Sequence, residues 1–215
     1  MVDVGEVLEI TLRSIWVSGL ATLISSTWSI PIAYLLSKPS RLRNVLASVA
    51  ESVVGVPTVL VGLLLYFLLS RRGPLGVLEL LYTPYAIVVG QAVLITPLLV
   101  ATSYRILRHA RQSFEETAVA LGASPTQAMI ISLAEAAPGI VSSIIMGFSR
   151  AIGELGVALM VGGNIRGLTR VLTTAIALET AMGNFELAVV LGTILVAISV
   201  FVMIALKMLR GFYEA

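Results

Sequence analysis

The stretch SFEETAVALGASPTQAMII, Ser113 to Ile131, decides how this chain is read. It is an island of polar and small residues between long apolar segments. Ser113 stands three residues before Glu116, and Ser124 three before Gln127. Each pair has the spacing of a capping box, in which the hydroxyl and the acid or amide satisfy the free N–H groups of a helix start. Pro125 falls at the first position of the second helix, where its missing N–H is no loss, and Gly122 falls just past the end of the first. The spacing predicts two short helices meeting at an angle, a knob carrying Ala118, Ala120, Gly122 and Ala123. Held outside the lipid between membrane spans, such a knob is suited to plugging into another protein, so the chain reads as a membrane protein driven by a partner.

Composition sets the surroundings. Hydrophobic residues make up 58% of the chain, charged residues 12%, and mean hydropathy is +1.00. Soluble domains carry about 25% charged residues. Uncharged runs long enough to cross a hydrocarbon core of about 30 Å occur at 15–37, 52–70, 83–104 and 187–206, and a fifth, 136–165, is interrupted only by Arg150 and Glu154. The expectation is an all-α integral membrane protein, one transmembrane domain over 1–215 with about five spans at 8–37, 50–70, 83–108, 136–161 and 185–208. Lipid is then the first partner.

Several classes are excluded. There is no cysteine and a single histidine, His109, which leaves neither a disulfide framework nor an ordinary transition-metal cluster. A net charge of +2 is too small to suggest nucleic acid. Asp3, Glu6 and Glu9 replace the basic start of a signal peptide, so the N-terminus is expected to be retained, with Glu6 and Glu9 on a solvated face. The sequence stops within nine residues of its last uncharged run, so no C-terminal regulatory module is expected.

Orientation follows from the basic residues. Lys38, Arg41, Arg43, Arg105, Arg108, Arg111, Lys207 and Arg210 fall on one side, and Arg13, Arg71, Arg72, Arg166 and Arg170 on the other. This excess of eight over five makes the first side cytoplasmic, with the N-terminus outside and the C-terminus and the 113–131 knob inside. Pro31, Pro57 and Pro97 lie within spans, where they read as bundle-shape adjustments. Val171 to Leu178 is too short to cross and reads as a short outer or re-entrant helix, and Asn184 as the cap of the final span. The hydroxyls of Thr169, Thr173, Thr174 and Thr180 either line an aqueous path or bond back to helix carbonyls.

If the fourth span starts near Pro138, Arg150 lies about 18 Å along it and Glu154 one turn further. At the bilayer centre each would cost about 2.5 to 3.5 kcal/mol on insertion scales, so both should face protein or water. Arginine before glutamate is the weaker order for an i,i+4 helix pair, which argues against a purely local helix role. Two readings stand side by side, an ion pair fastening packed helices and a lining of a transport path. Gly147, Gly153 and Gly156 permit the close helix approach that both would use. Arg166 reads either as an exposed loop charge or as an anion attractor at the outer mouth.

The island resembles the EAA motif of ABC-importer permeases, the cytoplasmic element that docks on the ATP-hydrolysing subunit. Glu115, Glu116, Thr117, Ala118 and Gly122 match E-x-A-A-x-x-x-G with threonine for one alanine. The downstream I-x-L-P part stands as Ile131, Ser132, Leu133 and Ala134, one residue early and without its proline. Beyond the motif, GFSRAIGE (147–154), MVGGNIRG (160–167), TRVLTTAIALET (169–180), GNFELAVVLG, VPTVLVGLLLYF (56–67) and RRGPLGVLELLYT (71–83) resemble the tungstate-importer permeases, relatives of the molybdate and sulfate permeases. The likeness covers almost the whole chain.

The resemblance implies a type I importer permease, a homodimer with the path between two copies, two ATP-binding subunits that hold ATP and Mg, and an extracytoplasmic oxyanion-binding protein. Coupling is expected of Glu115, Glu116, Ala118, Gly122 and Ala123, and Arg150, Glu154, Asn164 and Arg166 are the candidates for the path or its outer mouth. No G-x-x-x-x-G-K-[ST] occurs, so the chain itself cannot cradle ATP phosphates and carries no cofactor of its own. An ion-coupled secondary transporter would use Arg150 and Glu154 but leaves the knob without a role. An intramembrane protease would need G-x-S-x-G or H-E-x-x-H, and neither is present.

Overall fold

The computed structural model describes residues 4–214, with side chains described except for Leu206 and residues 209–214. Asp3 and the side chain of Arg210 therefore lie outside the described residues. All regular structure among the described residues is helical. Helix α1, Val4–Ser37, packs along α4, Pro84–Ala110, in the most extensive helix pairing of the fold. The buried stripe of α1 is Ser14, Ser18, Thr22, Ser25, Ser26 and Ser29, small enough for close approach. Ser14, Thr22 and Ser26 donate to carbonyls four residues back, and Ser25 meets Thr96 of α4 at 3.0 Å and Ser29 at 3.4 Å.

The expected span over 50–70 is not one rod. Helix α2, Arg41–Val53, and α3, Thr58–Leu69, meet at 100°. Pro57 has no N–H to continue the ladder and disfavours helical geometry at Val56, so the chain turns through Val54–Pro57. Pro31 and Pro97, by contrast, stay inside α1 and α4.

Two further boundaries differ from the sequence reading. Helix α4 does not stop before the knob: one π turn, Arg111–Glu115, carries it straight into α5, Glu116–Ala120. Ser113 is therefore inside a helix, where its carbonyl accepts from Thr117 Oγ1 at 2.8 Å, and the expected Ser113–Glu116 cap does not form. Helix α6 begins at Pro125 and runs to Ile152, with Pro138 inside it. The chain breaks at Gly153–Leu155 and resumes as α7, Gly156–Gly162, so the expected span 136–161 is two helices and Glu154 lies beyond the end of the first.

Helix α8, Leu172–Ala181, is short as expected; it packs on α9, Phe185–Glu214, and on the start of α1 through Val7, Ile10, Leu172, Ala175 and Leu191. A central core joins α1, α3, α4 and α7 around Val17, Leu65, Ile87 and Val157. Another, at the knob end, joins α1, α2, α4 and α6 around Ala33, Ala47, Leu107 and Ala136. Glycines allow the α3–α7 contact: a Cβ on Gly62 would lie 2.9 Å from Met160 Cβ, and one on Gly156 2.7 Å from Thr58 Oγ1. Among the described residues, four helices are long and apolar enough to cross a membrane, or five with the α2–α3 elbow counted as one span.

Candidate functional site

The knob is built from two caps placed back to back. The Ala123 N–H donates to Ala118 O at 2.9 Å and the Gly122 N–H to Val119 O at 3.0 Å, a Schellman closure of α5 with Gly122 at φ +92°. Ser124 then caps α6, with its hydroxyl accepting from Gln127 N–H and Gln127 Oε1 accepting from Ser124 N–H. Ala123 is the single residue between the Schellman glycine and the N-cap, so the turn is short and well determined. Glu116 and Gly122 are exposed, Ala123 is half-buried, and Ala118 faces inward. Glu115 points back to Arg111 at 2.9 Å. Leu121, 84% exposed at the tip, is the residue that sequence reasoning missed. Its signal is an apolar side chain immediately before a helix-terminating glycine.

Arg150 and Glu154 are brought together at 2.6 Å. Their situations differ sharply. Glu154 is 3% exposed: one carboxylate oxygen takes Arg150, the other accepts the Val157 N–H at 3.2 Å, and its carbonyl accepts from Thr173 Oγ1 at 2.7 Å. The Arg150 side chain, 41% exposed, borders a cavity of about 210 Å³ beside the α2–α3 elbow and the middle of α4, with Val53, Val56, Val61, Leu94 and Pro97 among its walls. Gln91, buried on α4, donates to Ala151 O at 2.9 Å and fixes the end of α6 next to the break. Of the three glycines around the pair, Gly147 sits against Leu99 and Gly156 against α3, whereas Gly153 meets only its own helix.

At the opposite end from the knob, Gly163, Asn164 and Gly167 all have positive φ and shape the GGNIRG loop. Asn164 is half-buried, and its Oδ1 has no hydrogen-bond partner. Arg166 is not a bare loop charge: it pairs with Glu6 at 2.5 Å. Arg170 lies between Glu6 at 3.3 Å and Glu179 at 3.6 Å, and Asn184 donates its amide to Glu179 at 2.9 Å. Glu6 thus belongs to a half-buried ion network, while Glu9 alone keeps the expected exposed face. Three of the four threonine hydroxyls bind backbone: Thr169 to Gly162 O, Thr173 to Glu154 O and Thr174 to Val171 O. Tyr82, against Gly163, has its hydroxyl pushed above the ordinary tyrosine value, chiefly by a side-chain hydrogen bond with Tyr66 and further by burial.

The two ends of the bundle therefore carry separate charge clusters, with Arg105–Glu51 and Arg111–Glu115 at the knob end, and one isolated pair sits between them. A family described as the binding-protein-dependent transport system inner membrane component matches residues 25–211. The chain belongs to this family. The permease is 39% identical over 195 residues to the tungstate uptake system permease protein TupB of Peptoclostridium acidaminophilum, covering 90% of this chain and 86% of the relative. It is 38% identical over 196 residues to a probable anion ABC transporter permease protein of Haloferax volcanii, covering 88% and 84%. Among solved structures, an amino acid ABC transporter with histidines matches with a TM-score of 0.68 over 97% of both chains at 18% identity, which shows the shared fold. The protein is a multi-pass inner-membrane permease subunit of an ABC importer, a transport component rather than an enzyme, and such a permease works with an ATPase and a binding protein.

Proposed function

We propose that this permease forms the path for a tetrahedral oxyanion dianion, with tungstate as its substrate. The observation that carries this reading is the 39% identity, over nine-tenths of the chain, to a tungstate uptake permease. Molybdate and sulfate, with the same shape and charge, are the alternatives, and the docked binding protein does most of the choosing between them. Two copies of the chain enclose the path, with the cavity at Arg150 facing it; two ATP-binding subunits that hold ATP and Mg sit beneath. The oxyanion-binding protein docks on the side of the GGNIRG loop, which places the N-terminus outside and the knob in the cytoplasm. That orientation is supported by the eight-to-five excess of basic residues at the knob end.

In this mechanism, ATP closes the two ATPase subunits, the knobs move with them, and the helix bundles rock as rigid bodies to open the path outward and then inward. Glu115, Glu116, Ala118, Gly122, Ala123 and the exposed Leu121 carry the coupling, Ala118 and Glu115 from behind the surface. Arg150 attracts the anion within the path, while Asn164 and Arg166 belong to the outer mouth. The test is the tungsten and molybdenum content, by mass spectrometry, of cells with and without the gene at trace supply of both oxyanions. Loss of tungsten that returns with the gene supports the reading. Unchanged tungsten with the protein expressed in the comparison strain overturns it.

A further inference from the structure

Glu154 stands in the path region yet is withdrawn from it. Its carboxylate is 3% exposed and held from two directions, by Arg150 and by the first turn of α7, while Thr173 of α8 grips its carbonyl. Arg150 alone reaches the open cavity, and it is the one charged residue lining it among the described residues. An unpaired guanidinium would hold a dianion more strongly than a paired one, because its full charge and all its donors would face the anion. A path that conducts must bind its ion weakly enough to release it. The structure supplies the means of weakening: a fixed carboxylate already satisfying part of the guanidinium.

We propose that Glu154 is a built-in counter-anion, a positioning residue that makes the Arg150 site a transient station by competing with the passing oxyanion for the same guanidinium. When the anion arrives, Arg150 shares its donors between Glu154 and the oxyanion; when the path opens inward, Glu154 reclaims it. The carboxylate does not follow the anion, because the α7 amide and Thr173 hold it in place. No bond is made or broken, and the proton count does not change. This inference rests on the reading of Arg150 as part of an oxyanion path.

Glu154→Gln is the discriminating change. The amide oxygen still accepts the Val157 N–H, so the α6–α7 break keeps its cap while Arg150 loses its counter-charge. The permease assembled with its ATPase subunits is incubated with sodium tungstate, desalted, and its tungsten counted by mass spectrometry, alongside oxyanion uptake in cells. E154Q is expected to retain at least about tenfold more tungsten than the unaltered complex and to transport more slowly, and adding Arg150→Met to E154Q is expected to remove the retained tungsten. Tungsten retention by E154Q equal to that of the unaltered complex overturns the proposal. Should E154Q fail to assemble, Glu154→Asp serves, since it keeps a carboxylate at the α6–α7 break and is one methylene too short for the present Arg150 contact. It too must retain more tungsten than the unaltered complex, and equal retention overturns the proposal. Arg150→Met alone separates the two levels: if it transports at the full rate, the path reading itself is wrong, whereas impaired R150M with unchanged retention in E154Q defeats only the role of Glu154.

Discussion

Gly122→Val tests whether the knob transmits force. Gly122 has φ +92°, and a Cβ there would meet nothing within 4 Å, so the substitution acts through backbone conformation and not through a clash. A left-handed conformation costs an L-residue about 1–2 kcal/mol, and a β-branched residue is among the least tolerant. Relief requires unwinding the Schellman closure, with loss of the Ala123–Ala118 and Gly122–Val119 hydrogen bonds. A local penalty of about 2 kcal/mol corresponds to a roughly thirty-fold shift in a docking equilibrium that needs the closed turn. Gly183 provides the control. It has φ +82°, nothing within 4 Å of its would-be Cβ, and the same closure, Asn184 N–H to Glu179 O and Gly183 N–H to Thr180 O, at the opposite end of the bundle. The assay is co-purification of the ATPase subunits with tagged permease, together with uptake. G122V is expected to reach the membrane at normal level but to lose the ATPase and uptake, and G183V to keep the ATPase. Normal ATPase recovery with G122V, or equal loss with G183V, would refute the reasoning.

Other substitutions probe the frame. Gly156→Ala forces a Cβ to 2.7 Å from Thr58 Oγ1 and 3.0 Å from Val59 N, and is expected to destabilise by about 1–3 kcal/mol, whereas Gly153→Ala, 3.7 Å from Ser149 O, is expected to be tolerated; melting temperatures in detergent decide. Arg170→Met leaves the buried Glu179 without its cation and is expected to lower stability by about 3–5 kcal/mol. Arg166→Met removes a 69% exposed partner of Glu6 and is expected to change stability by about 0–1 kcal/mol in the same assay. Ser124→Ala removes the hydroxyl of the α6 cap, about 1 kcal/mol, and is expected to speed amide exchange over 126–128 without lowering membrane levels.

Much of this architecture is legible locally. The Ser124–Pro125–Gln127 start and the Gly122 stop can be read because each cap is made by residues five apart or fewer, within the reach of a sequence pattern. Ser113 has the same spacing to Glu116 and misleads, since a capping box forms only where a helix begins, and α4 with its π turn carries the helix past that point. The breaks at Val54–Pro57 and Gly153–Leu155 are hidden for a related reason: hydropathy sees an unbroken apolar run whether the backbone is straight or bent. Arg150 and Glu154 can be paired from their spacing, but the difference in their exposure depends on Val157, Thr173 and the α2–α3 elbow, which no local pattern brings together. Glu6 lies 164 residues from Arg170, so its half-buried network could not be told from a solvated face.

The most direct measurement is tungstate accumulation in proteoliposomes that hold the permease with its ATPase subunits, with binding protein supplied outside the vesicles and ATP inside. Accumulation that requires both the binding protein and hydrolysable ATP is the predicted result. Tungstate uptake that proceeds without ATP and follows an ion gradient would contradict the account, and would leave Arg150 and Glu154 as parts of a secondary transporter.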